Sequence, residues 1–139
     1  MKDLAITESI KDFMTTEIIS IDNEAKIYDA IKKMVEHDIG SIVVKKGEQF
    51  VGILTERDIL KRCCSEHTTC TSLTVEKIMS SPLKTVEANA PIGKAAKIMD
   101  ANNIRRLLVE KDGKIVGIIT QKDITRETLN IFLAFQSIS

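Results

Sequence analysis

The chain has no tryptophan and a single tyrosine in 139 residues. Aromatic platforms for stacking nucleic-acid bases are therefore scarce. It has no surplus of either charge, because 20 basic residues meet 20 acidic ones. A balanced chain lacks the basic face on which sequence-independent phosphate binding rests, so nucleic acid is not an expected partner. No apolar run approaches the roughly 20 residues that cross a bilayer, so no membrane is expected either. The first residues, MKDLAITESIKDF, alternate charged and apolar side chains without the uninterrupted core of a signal peptide. The expected location is cytoplasmic. Cysteine is limited to Cys63, Cys64 and Cys70, and an odd count without an export signal reads as reduced thiols. No Ser/His/Asp or Cys/His set is spaced for nucleophilic catalysis, and no carboxylate pair marks a substrate cleft. The expectation is a protein that is not an enzyme and carries no cofactor.

Hydrophobic residues make up 43% of the chain, too many for a disordered polymer and enough for a buried core. The sequence also repeats itself. GILTERDI at 52–59 returns as GIITQKDI at 117–124, and residues 10–62 align without a gap on 75–127. Met14 meets Met79, Ala25 meets Ala90, Ile27 meets Ile92, Ala30 meets Ala95 and Met34 meets Met99. Ile39 meets Ile104, Val44 meets Val109 and Gly52 meets Gly117. The matched positions are mostly apolar or glycine, as core positions of two copies of one fold should be. Two copies fall short of the three or so that a solenoid needs, so a pair of subdomains fits better.

Each copy reads as β-α-β-β-α. IISI at 18–21 and LKTV at 83–86 read as short strands. Ile27, Ala30, Ile31, Met34 and Val35 fall on one helical face, as do Ile92, Ala95, Ala96 and Met99. Pro91 suits the first turn of that second helix. Residues 41–55 and 106–120 each read as a hairpin, the second turning at Asp112-Gly113. A further helix starts at Glu56 and again at Gln121. The expected organisation is an N-terminal extension at 1–9, units at 10–63 and 75–127, a polar linker at 64–74 and a helical tail at 128–139.

The repeated phrase has two readings. Thr55 with Asp58, and Thr120 with Asp123, have the T-x-x-acid spacing of a capping box. They also set a carboxylate beside a helix N-terminus at the end of a strand. The N-terminus suits phosphate, and the carboxylate suits the two hydroxyls of a ribose. A nucleoside-phosphate site built twice follows from the second reading.

With those residues in view, the chain resembles a tandem pair of cystathionine-β-synthase (CBS) domains, the arrangement called a Bateman module. The resemblance is carried by MTTEIISIDNEAKIYDAIKKMVEHDIGSIVVKKGEQFVGILTERDI and MSSPLKTVEANAPIGKAAKIMDANNIRRLLVEKDGKIVGIITQKDI. It implies an α/β (α+β) fold of two pseudo-twofold-related β-α-β-β-α units packed sheet to sheet, with clefts between them. It implies that these clefts bind adenine nucleotides such as AMP, ADP or ATP, or adenosyl ligands such as S-adenosylmethionine. By position, one site would combine Thr55 and Asp58 with Pro82, Leu83, Lys84, Ile104, Arg105 and Arg106. The other would combine Thr120 and Asp123 with Glu17, Ile18, Ile19, Ile39, Gly40 and Ser41. Arg105 and Arg106 are read either as phosphate ligands, which would make the Thr55/Asp58 site the tighter for polyphosphates, or as a solvated strand start or salt bridge. Arg57 and Lys122 are read as further cations or as exposed helix residues. The implied protein is a regulatory module, a homodimer, acting on a separate partner protein. A ligand-free interaction module is the alternative.

Three features fall outside that scheme. Cys63, Cys64, His67 and Cys70 have ligand types that suit zinc. Adjacent cysteines on a helix point about 100° apart, which works against their convergence, so no metal is expected. His37 stands near a helix C-terminus, where a cationic side chain is favoured. Leu129, Phe132, Leu133 and Phe135 form an apolar stripe that would cover either the chain's own surface or a second subunit.

Overall fold

The computed structural model describes residues 8–63, 72–81 and 83–138. It contains two three-stranded sheets with helices, and it divides into two compact units, one of residues 19–83 and one of 1–18 with 84–139.

In the unit of residues 19–83, β1 (Ser20–Asp22) lies parallel to β2 (Ser41–Lys46), which turns into antiparallel β3 (Gln49–Thr55). Between the parallel strands runs α1 (Ile27–Glu36), as a parallel crossover requires. Ile27, Ala30 and Met34 are its buried face, whereas Val35, read onto that face from its spacing, points largely to solvent. They pack with Ile42, Val44, Leu54, Cys63, Val75 and Ile78 into one core. After β3 come a single helical turn, α2 (Glu56–Asp58), and a π-helical turn from Ile59 to Cys63.

The other unit repeats this plan. β4 (Thr85–Glu87) is parallel to β5 (Arg106–Lys111), which pairs antiparallel with β6 (Lys114–Thr120), and α3 (Ile92–Asn102) makes the crossover. Asp112 and Gly113 both have positive φ, 52° and 78°, at the hairpin turn expected there. The register slips at Val44/Lys45 and again at Val109/Glu110, so even the bulge is copied.

The leading segments are exchanged between the copies. Residues before β1 belong to the unit of the second copy: Thr15 and Ile118 exchange both backbone hydrogen bonds at 2.9 Å. Ile10 is buried there with Val86, Ile92, Leu107 and Ile119. Residues before β4 belong to the unit of the first copy, where Ser80 exchanges backbone bonds with Ile53 at 2.9 and 3.0 Å. Glycine is needed where these segments cross. A Cβ on Gly52 would stand 2.6 Å from the Met79 sulfur and 2.9 Å from the Ser80 carbonyl oxygen. One on Gly117 would meet the Met14 sulfur and the Thr15 carbonyl oxygen at the same distances.

Several expectations shift. The first strand of each copy begins later than read, at Ser20 and Thr85, because regular parallel pairing starts at Ser20 with Val43 and at Thr85 with Leu108. Pro91 is the residue just before α3, with φ −71° and ψ 152°, and is not in its first turn. The tail is no separate element. It continues α4 (Gln121–Ile138), whose Leu129, Phe132, Leu133 and Phe135 are about half exposed. The expectation of reduced thiols does not hold for Cys63, which is disulfide-bonded. An odd count excludes only complete pairing, and so cannot keep any one thiol free. Cys64, His67 and Cys70 lie outside the described residues, and the zinc reading of that cluster falls there.

Candidate functional site

The strand-to-helix corner after β3 is a capping box made in full. The Thr55 side-chain oxygen accepts from the Asp58 backbone N–H at 3.1 Å, and Asp58 Oδ2 accepts from the Thr55 N–H at 3.0 Å. The Ser80 hydroxyl donates to the other oxygen, Oδ1, at 2.9 Å. Asp58 is 8% exposed, so these partners hold a carboxylate almost out of water. Arg62 donates to the carbonyls of Ile78 and Met79, at 3.0 and 3.1 Å, and pins the segment that delivers Ser80.

The corner after β6 is built alike but ends differently. Asp123 Oδ2 accepts from the Thr120 N–H at 2.9 Å and from the Thr120 hydroxyl at 3.0 Å. Its Oδ1 accepts from the Arg126 guanidinium, one turn along α4. Asp123 is as buried as Asp58, while Arg126 is largely in solvent.

The remaining site residues fall to one unit or the other. In the unit of Thr55 and Asp58, Ser41 stands opposite Thr55 across the hairpin and the Gly40 carbonyl accepts from the Glu56 N–H at 3.0 Å. Ile39 precedes them, half-buried, and the Ile19 carbonyl accepts from the Val43 N–H. Arg57 is exposed and Leu83 half-buried, while Pro82 lies outside the described residues. In the unit of Thr120 and Asp123, Arg106 stands opposite Thr120 and the Arg105 carbonyl accepts from the Gln121 N–H at 2.7 Å. Ile104 is half-buried before them, the Lys84 carbonyl accepts from the Leu108 N–H, and Lys122 is exposed. Glu17, exposed, and Ile18, half-buried, belong to this unit also.

The structure thus brings Gly40 and Ser41 beside Thr55, and Arg105 and Arg106 beside Thr120. The grouping read from the sequence took each T-x-x-D pair mostly with strand residues of the opposite copy. Sequence reasoning missed Ser80 and Arg126. Ser80 aligns with Thr15, another hydroxyl, and Arg126 stands three residues after Asp123, a spacing that brings side chains together on a helix.

Residues 10–65 and 75–130 each match the CBS domain family, and the chain belongs to it, with two such domains in tandem. CBS-domain pairs are regulatory, ligand-sensing modules that are generally not catalytic. The chain is similar to a crystallised uncharacterized conserved protein from Pyrococcus horikoshii, at 31% identity and a TM-score of 0.83. That match covers 88% of this chain and 93% of the other. It is similar to a hexameric CBS-CP12 protein from bloom-forming cyanobacteria, at 25% identity and a TM-score of 0.77, over 86% of this chain and 67% of the other. It is 40% identical, over 66% of its length, to an uncharacterized protein of Methanopyrus kandleri, and that match spans 48% of the relative. Among the described residues no helix is long and apolar enough to cross a membrane, and no group of three His, Cys, Asp or Glu could hold a metal ion.

Proposed function

We propose that this CBS pair is a cytoplasmic, non-enzymatic sensor of adenine nucleotides, with AMP, ADP or ATP as the ligand class, acting on a separate protein. The observation that carries the reading is the pair of buried carboxylates, Asp58 and Asp123, each at the end of a hairpin beside a threonine and a helix start. A buried carboxylate at a strand end suits a ribose diol, and the exposed cations beside the two corners, Arg57 and Lys122, suit phosphate. Bound nucleotide would favour one conformation of the chain over another and so alter its affinity for the partner.

A second reading is supported by the same corners. Their carboxylates already have hydrogen-bond partners within the chain, which suits a structural module that needs no ligand. Titration calorimetry of the purified chain with AMP, ADP, ATP and S-adenosylmethionine separates the two. Saturable heat with a nucleotide supports the sensor, heat with S-adenosylmethionine alone moves the ligand class, and no heat with any of the four favours the structural module.

The homodimer expected from the sequence belongs to the same proposal. Its support is the uncharged stretch 128–139 and the half-exposed Leu129, Phe132, Leu133 and Phe135 on it. An apolar patch of this kind on a charged chain marks an interaction surface. With no charge on either side, two copies of it can meet without repulsion.

A further inference from the structure

The two carboxylates differ in how much of their accepting capacity remains. A carboxylate has about four lone-pair sites. Among the described residues Asp58 receives two donors, the Thr55 N–H and the Ser80 hydroxyl, at two of those four sites. Asp123 receives three, the Thr120 N–H, the Thr120 hydroxyl and the Arg126 guanidinium, which leaves one. A ribose diol brings two hydroxyl donors. Counted by lone pairs, Asp58 has room for both. Asp123 can take both only if Arg126 lets go.

We propose that Arg126 sets ligand charge specificity in the second copy, admitting phosphorylated nucleosides and disfavouring unphosphorylated ones at Asp123. The inference rests on the nucleotide-sensing reading above. Releasing Arg126 breaks a charge-assisted hydrogen bond, the stronger kind. An uncharged nucleoside offers the guanidinium nothing in return. A nucleotide offers phosphate oxygens, which guanidinium groups bind in a matching fork geometry. Arg126 is free to make the exchange, since its side chain is 65% exposed and sits on the second turn of α4.

Its surroundings point the same way. Arg106 stands across the hairpin from Thr120, and Arg105 adjoins it. The equivalent positions of the first copy are Gly40, Ser41 and Lys61, so one cation there answers three here. In the first copy the second oxygen of Asp58 is held by the neutral Ser80 hydroxyl, which does not distinguish ligands by charge. A purely structural ion pair between Arg126 and Asp123 would not link ligand charge to affinity.

The experiment is calorimetric titration of the full chain with adenosine and with ATP, in an Asp58→Asn background that weakens the first copy about tenfold, so that the tighter phase reports the second. The measured quantity is the ratio of the two affinities. Arg126→Ala should raise adenosine affinity, lower ATP affinity and shrink their ratio about tenfold or more, the scale of one charged hydrogen bond. Arg126→Lys, which keeps the charge and loses the fork, should fall between. In an Asp123→Asn background Arg126→Ala should leave the ratio unchanged. A ratio unaffected by Arg126→Ala in the Asp58→Asn protein, with circular dichroism showing it folded, overturns the inference and leaves nucleotide sensing intact. A wild-type chain that binds neither ligand overturns both.

Discussion

Ser80 and Asp58 are 22 positions apart, yet the serine hydroxyl lies 2.9 Å from the buried carboxylate. The bond joins the leading segment of the second copy to the T-x-x-D corner of the first. Ser80→Ala should leave Oδ1 without its donor in a site nearly closed to water. The expected loss is about 1.5 kcal/mol of unfolding free energy, the range for hydrogen bonds to charged groups. Urea denaturation of the two proteins measures it, and equal midpoints would count against a structural role for the bond.

Gly52→Ala and Gly117→Ala should each cost about 2 kcal/mol, within the range for overpacking a tight interior. The added methyl meets a methionine sulfur, which can move, and a backbone carbonyl oxygen 2.9 Å away, which cannot without parting the bridge beside it. Met79→Ala should therefore rescue Gly52→Ala only in part. Full rescue in thermal melts would show that the sulfur alone sets the constraint.

Asp58→Asn and Asp123→Asn should each weaken nucleotide binding at their own corner by roughly tenfold, since an amide accepts fewer and weaker hydrogen bonds from ribose than a carboxylate. Asparagine keeps the side-chain shape, so the capping geometry survives better than with alanine. Calorimetry that finds neither substitution affecting affinity would move the ligand away from these corners.

If the proposed homodimer forms through α4, Phe132→Asp and Leu133→Lys should turn it into a monomer by burying a charge at an apolar contact. Light scattering at micromolar concentration reads the mass directly. A wild-type monomer under those conditions removes the dimer from the proposal, and an unchanged dimer in both variants moves the interface off α4.

Much of the fold is legible from residues 10–62 and 75–127 because local chemistry fixes it. The hairpins show in their turn residues, with Asp112 and Gly113 at the positive φ their types allow. The faces of α1 and α3 show in the spacing of Ile27, Ala30 and Met34 and of Ile92, Ala95 and Met99. The capping boxes show in T-x-x-D. Segment exchange does not show, because a repeat offset is the same whichever sheet a leading segment covers. Only the crowding at Gly52 and Gly117 hints at a crossing chain. The partners of the two carboxylates were equally hidden. Ser80 reaches Asp58 through tertiary folding, and Arg126 sits where an ordinary surface lysine or arginine would attract no notice. The disulfide at Cys63 was obscured by parity, which limits how many thiols can pair but not which.

The exchanged segments separate two things that a repeat usually unites. What the sequence copies is a stretch such as 10–62, the unit that a gene duplication would hand down. What folds as a compact body is residues 19–83, which takes its first-copy strands together with an arm from the second. A polypeptide holding one repeat would own an arm and a sheet but would lack the neighbour's arm that here covers Gly52 or Gly117. A half-length chain could complete its sheet only by trading arms with a second copy of itself. In the present chain both arms are supplied by one polypeptide.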